Sequence, residues 1–295
     1  MKLSLIIVNY NTESYICDLL QDLMAQTLPT DQWQVVIVNN SQNDKLEIMT
    51  QRFQASLSCT IIQSPQNVGF GRAMNLAAKH AQGEMILLMN PDMRMMQVDY
   101  LTRLLKYAQD HEGFGVISTQ VFDDDNNDVS TYHQYEFGET LGYDNQICWF
   151  QGSLMLIKAN VFAKIQGFDP DFFMYCEDVD LCYRIKKLGM PLLKCEDLKI
   201  YHYGGASELK ADYSFYFKYY KSRFLFAYKH YPKQMYDKIV HRLNEKASQR
   251  IKVYRITSYL IDSHKVKLTR NLVTMEMTNK ILTQSSDWLF DWDVA

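Results

Sequence analysis

Apolar residues fall in short blocks along the first 200 positions, at Leu3–Val8, Val35–Val38, Thr60–Ile62, Met85–Met89, Val116–Ser118, Leu154–Ile157 and Ile200–His202. Blocks this short predict buried strands. Between them, near 13–25, 44–55, 71–80 and 97–110, apolar side chains recur every three or four residues, the period of a helix packed on one side. Strands alternating with helices, several of them apolar at every position, predict an α/β fold. Its mostly parallel central sheet is flanked by helices on both faces. Beyond Asp212 the pattern changes: Tyr213–Tyr231 is dense in aromatics and Lys, Pro232 interrupts, and helical spacing resumes. This predicts an α/β domain over 1–212 and a C-terminal helical extension over 213–295, with helices across 213–270 and a last helix plus tail across 271–295.

Composition narrows the class. With 47% hydrophobic and 22% charged residues the chain can bury a large core, which excludes a disordered protein. Six cysteines show neither a Cys-x-x-Cys pair nor zinc-type spacing, so reduced thiols in a cytoplasmic protein are expected. The first apolar run is too short for a signal peptide, and no stretch is long enough to span a bilayer.

Net charge is uneven. Residues 1–205 carry 15 Lys/Arg against 25 Asp/Glu, whereas 206–270 carry 15 against 5, so an acidic body is followed by a basic, aromatic segment. That segment suits an anionic membrane surface on the inner face of the cytoplasmic membrane, or a lipid-linked diphosphate. It equally suits packing against the acidic body or a homodimer interface. The tail Trp288-Leu289-Phe290-Asp291-Trp292 fits either packing role. No nucleic-acid-binding module is recognisable, so no nucleic-acid partner is expected.

In parallel sheets ligands bind beyond the carboxyl ends of strands. The first two strands end in Val8-Asn9-Tyr10-Asn11 and in Asn39-Asn40-Ser41-Gln42-Asn43-Asp44. Such side chains can hydrogen-bond a base and ribose, and they also turn the chain and cap helices. Next, Asn67-Val68-Gly69-Phe70-Gly71-Arg72-Ala73-Met74-Asn75 sets two glycines before a helix N-terminus, where backbone can approach an anion and Arg72 can reach a diphosphate. The block Met85–Met89 delivers Asn90-Pro91-Asp92, placing a carboxylate where hard cations bind with substrate phosphates. Glu177, Asp178 and Asp180 open a helix that Gly189 closes, after an aromatic loop containing Phe172, Phe173 and Tyr175. They suit either first-turn dipole partners or a general base. Finally, Tyr201-His202-Tyr203-Gly204-Gly205-Ala206-Ser207 sets a metal- or phosphate-competent His beside two glycines. Trp149 and Gly152, which precede a strand, are expected to face an acceptor, and Trp149 suits either a stacking platform or the core.

Together these segments, across roughly residues 2–210, resemble the family 2 inverting glycosyltransferases of the GT-A fold. The rhamnosyltransferase-like and galactofuranosyltransferase-like branch is the most similar. The resemblance implies Asp92 as the metal ligand of the family's Asp-x-Asp-type motif, here Asn90-Pro91-Asp92. It implies Asp178 as catalytic base, with Glu177 beside it at the acceptor, and His202 as a second holder of metal or diphosphate. Val8 to Asn11, Asn39, Asn40, Asn67, the Gly69–Asn75 loop and Asn90 map onto the nucleotide site. Asn39 stands where the family commonly has Asp, so an amide replaces a carboxylate near the base or ribose.

The implied reaction uses Mn2+ or Mg2+ as cofactor and moves a sugar from a nucleotide diphosphate donor to a glycan or lipid-linked glycan acceptor. The product belongs to a bacterial surface polysaccharide such as O-antigen. Deoxythymidine diphosphate rhamnose (dTDP-rhamnose) is the expected donor, and UDP-linked sugars are the alternative. A sugar nucleotidyltransferase would need a basic Gly-rich triphosphate loop near residues 9–15, where none occurs. A non-catalytic sugar- or membrane-binding relative would leave Glu177, Asp178 and Asp180 with no role beyond capping.

Overall fold

The computed structural model describes residues 1–295 except Asp44, Gln54, Met96, 205–211, Ser285 and 293–295. Asp44 and the stretch Gly205-Ala206-Ser207, singled out in the sequence, thus lie outside the described residues. Ten strands are described: β1 (Leu3–Asn9), β2 (Trp33–Asn39), β3 (Cys59–Gln63), β4 (Met85–Met89), β5 (Met93–Arg94), β6 (Val116–Phe122), β7 (Thr131–Tyr132), β8 (Trp149–Phe150), β9 (Leu154–Lys158) and β10 (Leu192–His202). Eight form one sheet in the order β3-β2-β1-β4-β9-β6-β10-β5, and β7 pairs with β8 in a separate ribbon. The pairs β1–β2, β2–β3, β1–β4 and β6–β10 are parallel. Strand β9 runs antiparallel between β4 and β6, and β5 lies antiparallel on the edge.

The helices are α1 (Glu13–Met24), α2 (Lys45–Thr50), α3 (Phe70–Ala78), α4 (Tyr100–Asp110), α5 (Ala159–Lys164), α6 (Glu177–Lys187), α7 (Tyr213–His230), α8 (Lys233–Thr257) and α9 (Asp262–Thr283). Alternation along the strands divides their apolar runs between two cores. Leu3, Leu5, Ile7, Val35 and Ile37 meet Ile16, Leu19, Leu20 and Leu23 of α1 and Leu101 and Leu104 of α4. On the opposite face Ile6, Val8, Val36 and Val38 meet Ala73, Met74 and Ala77 of α3 and Leu181 and Ile185 of α6. Each such fully buried aliphatic side chain contributes about 1.5–3 kcal/mol, so register is strongly fixed.

A third core joins the C-terminal helices to the body. Phe217, Phe224 and Phe226 of α7, Ile239 and Val240 of α8, and Val273 and Met277 of α9 cluster with Tyr135, Cys148, Phe172, Cys176 and Val179. Ion pairs fasten α7 to the acidic body: Lys229 to Asp169 and Asp171 at 2.6 and 2.5 Å, and Arg223 to Glu136 at 2.6 Å. His230 Nε2 lies 2.7 Å from Asp180 Oδ1. The tail follows the same route, for Trp292 stacks on Phe173 and its Nε1 donates to the Asp171 carbonyl at 2.7 Å. Among the uses expected for the basic segment, α7 thus packs on the acidic body. The boundary expected at 270/271 is corrected, because that position lies inside α9 and the helix break falls at 258–261.

Candidate active site

The parallel strands bring their carboxyl ends to one edge. There β1 ends at Asn9 opposite Asn39 of β2, and β4 leads into Asn90. Because β9 is antiparallel, its beginning reaches the same edge, and Asn90 N donates to the Ser153 carbonyl at 2.9 Å. Strand β10 ends there too, with His202 paired to Met93. Asp92 and His202, 110 positions apart in the chain, therefore meet: His202 Nε2 lies 3.2 Å from Asp92 Oδ1, and both side chains are buried. Asn90 Nδ2 approaches His202 Nε2 at 3.4 Å, while Asn90 Oδ1 is buried with no hydrogen-bond partner among the described residues. A carboxylate, an imidazole and an orphaned amide oxygen make a donor set that fits a divalent cation with several positions left for substrate oxygens.

The acidic helix begins from strained backbone. Tyr175 and Cys176 have φ of 69° and 59°, left-handed values that cost a non-glycine residue about 1–3 kcal/mol each. The surroundings hold them there. Phe70 N donates to the Phe173 carbonyl at 3.0 Å, Ser222 Oγ of α7 donates to the Met174 carbonyl at 2.6 Å, and the Tyr175 ring meets Phe215 and Tyr219 edge-on. Gly69 is obligatory for this seam: its φ is +85°, and a Cβ would lie 2.1 Å from the Phe173 oxygen.

Asp178 is fixed by two backbone donors, Gly152 N to Oδ2 and Val179 N to Oδ1, each at 2.8 Å. A Cβ on Gly152 would crowd the Asp178 Cβ at 3.1 Å, so the absent side chain permits the approach. Burial raises the Asp178 carboxyl to about 6 against those hydrogen bonds. Glu177 is pushed well above the usual glutamate value, by burial first and then by the charge of Asp178, and its Oε2 has no hydrogen-bond partner among the described residues. Asp180 has a different role. It is fully buried and is held by Arg184 and His230, both at 2.7 Å, as an anchor between α6 and α7.

Two cavities meet at this carboxylate. One of about 540 Å3 is lined by Val8, Tyr10, Asn40, Asn67, Asn90, Asp92 and His202. The other, a cleft of about 980 Å3, is lined by the β7–β8 ribbon and the loop between its strands, with Arg223 at one side. Gln151, Tyr175, Glu177 and Asp178 belong to both walls. Gly152 faces the smaller cavity, and Trp149 faces the cleft. Trp149 lies flat on Tyr132, rings 3.8 Å apart, with Nε1 donating to the Gln134 carbonyl at 3.0 Å.

Other residues singled out from sequence do not line either cavity. Asn9 and Asn39 are buried and their amides are engaged: Asn9 Nδ2 donates to Asn39 Oδ1, and Asn39 Nδ2 donates to Gln63 Oε1, both at 2.8 Å. Asn75 clamps Phe168 through both its backbone groups at 2.8 Å. Arg72 Nε donates to the Pro170 carbonyl at 2.7 Å. Asn11, at φ 57°, is exposed and turns the chain, its N–H donating to Ser41 Oγ. Asn40 and Asn67 do reach the cavity, linked by a 2.8 Å hydrogen bond. Sequence reasoning passed over Phe215 and Lys218, which α7 contributes to the wall of the smaller cavity. Their spacing of three residues on one helix face was the available signal.

The description Glycosyl transferase family 2 matches residues 4–183. Rhamnosyltransferase WbbL of Escherichia coli K12 is 27% identical over 226 residues, 68% of this chain and 82% of WbbL. Among solved structures, mannosyltransferase PcManGT of Pyrobaculum calidifontis, in complex with GDP-Man and Mn2+, superposes with a TM-score of 0.61 at 16% identity, over 96% of this chain and 87% of that one. Residues 1–349 of Staphylococcus aureus TarS, in complex with UDP, give 0.58 at 16% identity over 96% and 91%. In sequence this chain spans only 16% of the full-length TarS, a poly(ribitol-phosphate) β-N-acetylglucosaminyltransferase. The sheet, its helical layers and these likenesses are those of the GT-A fold, and the chain is a glycosyltransferase belonging to glycosyl transferase family 2.

Proposed function

We propose that this chain transfers a sugar from a nucleotide diphosphate donor to an acceptor hydroxyl with inversion at the anomeric carbon, and that Asp178 is the base. The observation that carries this is the position of Asp178 on the wall common to both cavities. A donor in the smaller cavity and an acceptor in the cleft would meet at its carboxylate. The acceptor oxygen attacks the anomeric carbon from the face opposite the diphosphate, and Asp178 takes its proton. Two backbone donors hold the carboxylate in place, so little reorganisation accompanies the attack. Asp92, His202 and Asn90 would hold a divalent cation, Mn2+ or Mg2+, which when bound neutralises charge on the departing diphosphate. Glu177 lies beside the base on the wall shared by both cavities, where it could also meet the acceptor.

The likeness to a rhamnosyltransferase over most of both chains favours dTDP-rhamnose as donor, with UDP-linked sugars next. A glycan or lipid-linked glycan of a bacterial surface polysaccharide is the acceptor class. A thermal-shift panel of UDP, dTDP and GDP, with and without Mn2+ or Mg2+, tests the donor site. A diphosphate held only by the native state at a hundred times its Kd stabilises it by about 2.7 kcal/mol. Metal-dependent stabilisation by one nucleotide, lost in Asp92→Ala, is expected. Stabilisation that persists unchanged in Asp92→Ala would remove Asp92 from the site.

A further inference from the structure

Helices α8 and α9 form an antiparallel hairpin: Asn244 Nδ2 bonds Thr278 Oγ1 at 2.9 Å near its base, and Tyr254 packs on His264 near its turn. The base is embedded in the third core through Ile239, Val240, Val273 and Met277, and Ala247 and Ile251 next to it are buried too. Farther out the character reverses, and none of residues 252–270 is buried. The projecting part carries large apolar side chains turned to solvent: Val253, Ile256, Tyr259, Leu260, Ile261 and Val266. Ile256, Tyr259 and Leu260 are 72%, 89% and 85% exposed. A monomer surface seldom gathers so many at one point without a partner for them.

Cations surround this tip. Lys252, Arg255, Lys265, Lys267 and Arg270 lie within the projecting segment, against one acid, Asp262, which pairs with Lys265 at 2.7 Å. Arg270 bonds the Tyr220 hydroxyl at 2.6 Å, and among the described residues Lys252, Arg255 and Lys267 have no acidic partner. The basic character continues inward: Arg242, Lys246 and Arg250, one turn apart on α8, line a cavity of about 210 Å3 with Arg270 and Arg223, and Arg223 also borders the acceptor cleft.

We infer that the α8–α9 tip is a membrane-docking element that inserts its apolar side chains into the headgroup region of an anionic phospholipid bilayer. Apolar residues at the point and cations around it match the two layers of such a surface, acyl boundary beneath and phosphates above. A tyrosine between them suits the interface. A second copy of the chain fits poorly, since a symmetric contact through this tip would oppose two sets of unpaired cations with one acid apiece. The basic cavity and the acceptor cleft share Arg223 on their walls, and docking by this tip does not depend on which sugar is transferred.

The test is co-sedimentation of the full chain with vesicles of phosphatidylcholine containing phosphatidylglycerol, against phosphatidylcholine alone, at low and high salt. Binding to the anionic vesicles, weakened by salt, is expected. The double changes Ile256→Ser with Leu260→Ser, and Lys252→Glu with Lys267→Glu, should each weaken it by roughly tenfold or more. Thermal unfolding should stay that of the unaltered chain, because these side chains are exposed. Equal partition of variants and unaltered chain, or no vesicle binding at all, would overturn the inference. So would a concentration-dependent dimer in sedimentation velocity that these variants dissociate, which would assign the tip to self-association.

Discussion

Asp178 combines two requirements that oppose each other. Burial raises its carboxyl to about 6, while the Gly152 and Val179 amides favour the ionised form that a base needs. The folded value lies above the ordinary aspartate value near 4, so ionising Asp178 costs the folded state stability as pH rises through about 4 to 6. Asp178→Asn removes that cost. Relative to the unaltered chain, the variant should gain about 2–3 kcal/mol between pH 4 and pH 8. Transfer by the unaltered chain should fall off on the acid side of pH 6. Urea titrations at the two pH values check the first point; a stability difference independent of pH would show that Asp178 titrates as an exposed aspartate does. At this scale the sequence displayed Asp92, Asp178 and His202, because each follows or opens an element whose pattern is plain. It did not display that Asn9, Asn39 and Asn75 turn inward. Their partners Gln63 and Phe168 are distant in the chain, and an asparagine at a strand end reads the same whether its amide meets a nucleotide or another amide.

At the scale of elements, α7 supports the strained loop before the acidic helix. Ser222 holds Met174, and Arg223 pairs with buried Glu136 beneath Tyr219 and Tyr220. Glu136 is raised by burial and held down by Arg223, so Arg223→Met leaves a buried carboxyl without its partner. A loss of about 3–5 kcal/mol in urea unfolding is expected, partly restored by adding Glu136→Gln. A single variant as stable as the unaltered chain would show the pair to be dispensable. The long apolar strands and amphipathic helices were legible because burial on two faces, or on one, leaves a period in the sequence. Strands β5, β7 and β8 hold two residues each and are too short to carry any period. The first part of β10 was missed because Lys194, Glu196 and Asp197 interrupt its apolar pattern around a register shift. The α8–α9 turn passed unseen because Tyr259, Leu260 and Ile261 continue the apolar spacing with neither Gly nor Pro to mark the break.

Over the whole molecule, three cores bring one carboxylate to the wall between two cavities. Two cores come from alternation in the sheet, and the third from the C-terminal helices. The extension therefore contributes to both cavities, since Phe215 and Lys218 line the smaller one and Tyr219 and Arg223 the cleft. The central claim is that Asp178 is the base at this junction. Its most direct test compares Asp178→Asn with the unaltered chain under single-turnover conditions, with a sugar donor built on the nucleotide that the thermal-shift panel identifies, measuring sugar transfer and nucleotide affinity together. Loss of a positioned base should lower transfer by about 10²–10⁴-fold while the nucleotide Kd changes by no more than about twofold. Transfer at the unaltered rate with donor still bound would contradict the account and place the base elsewhere on the shared wall.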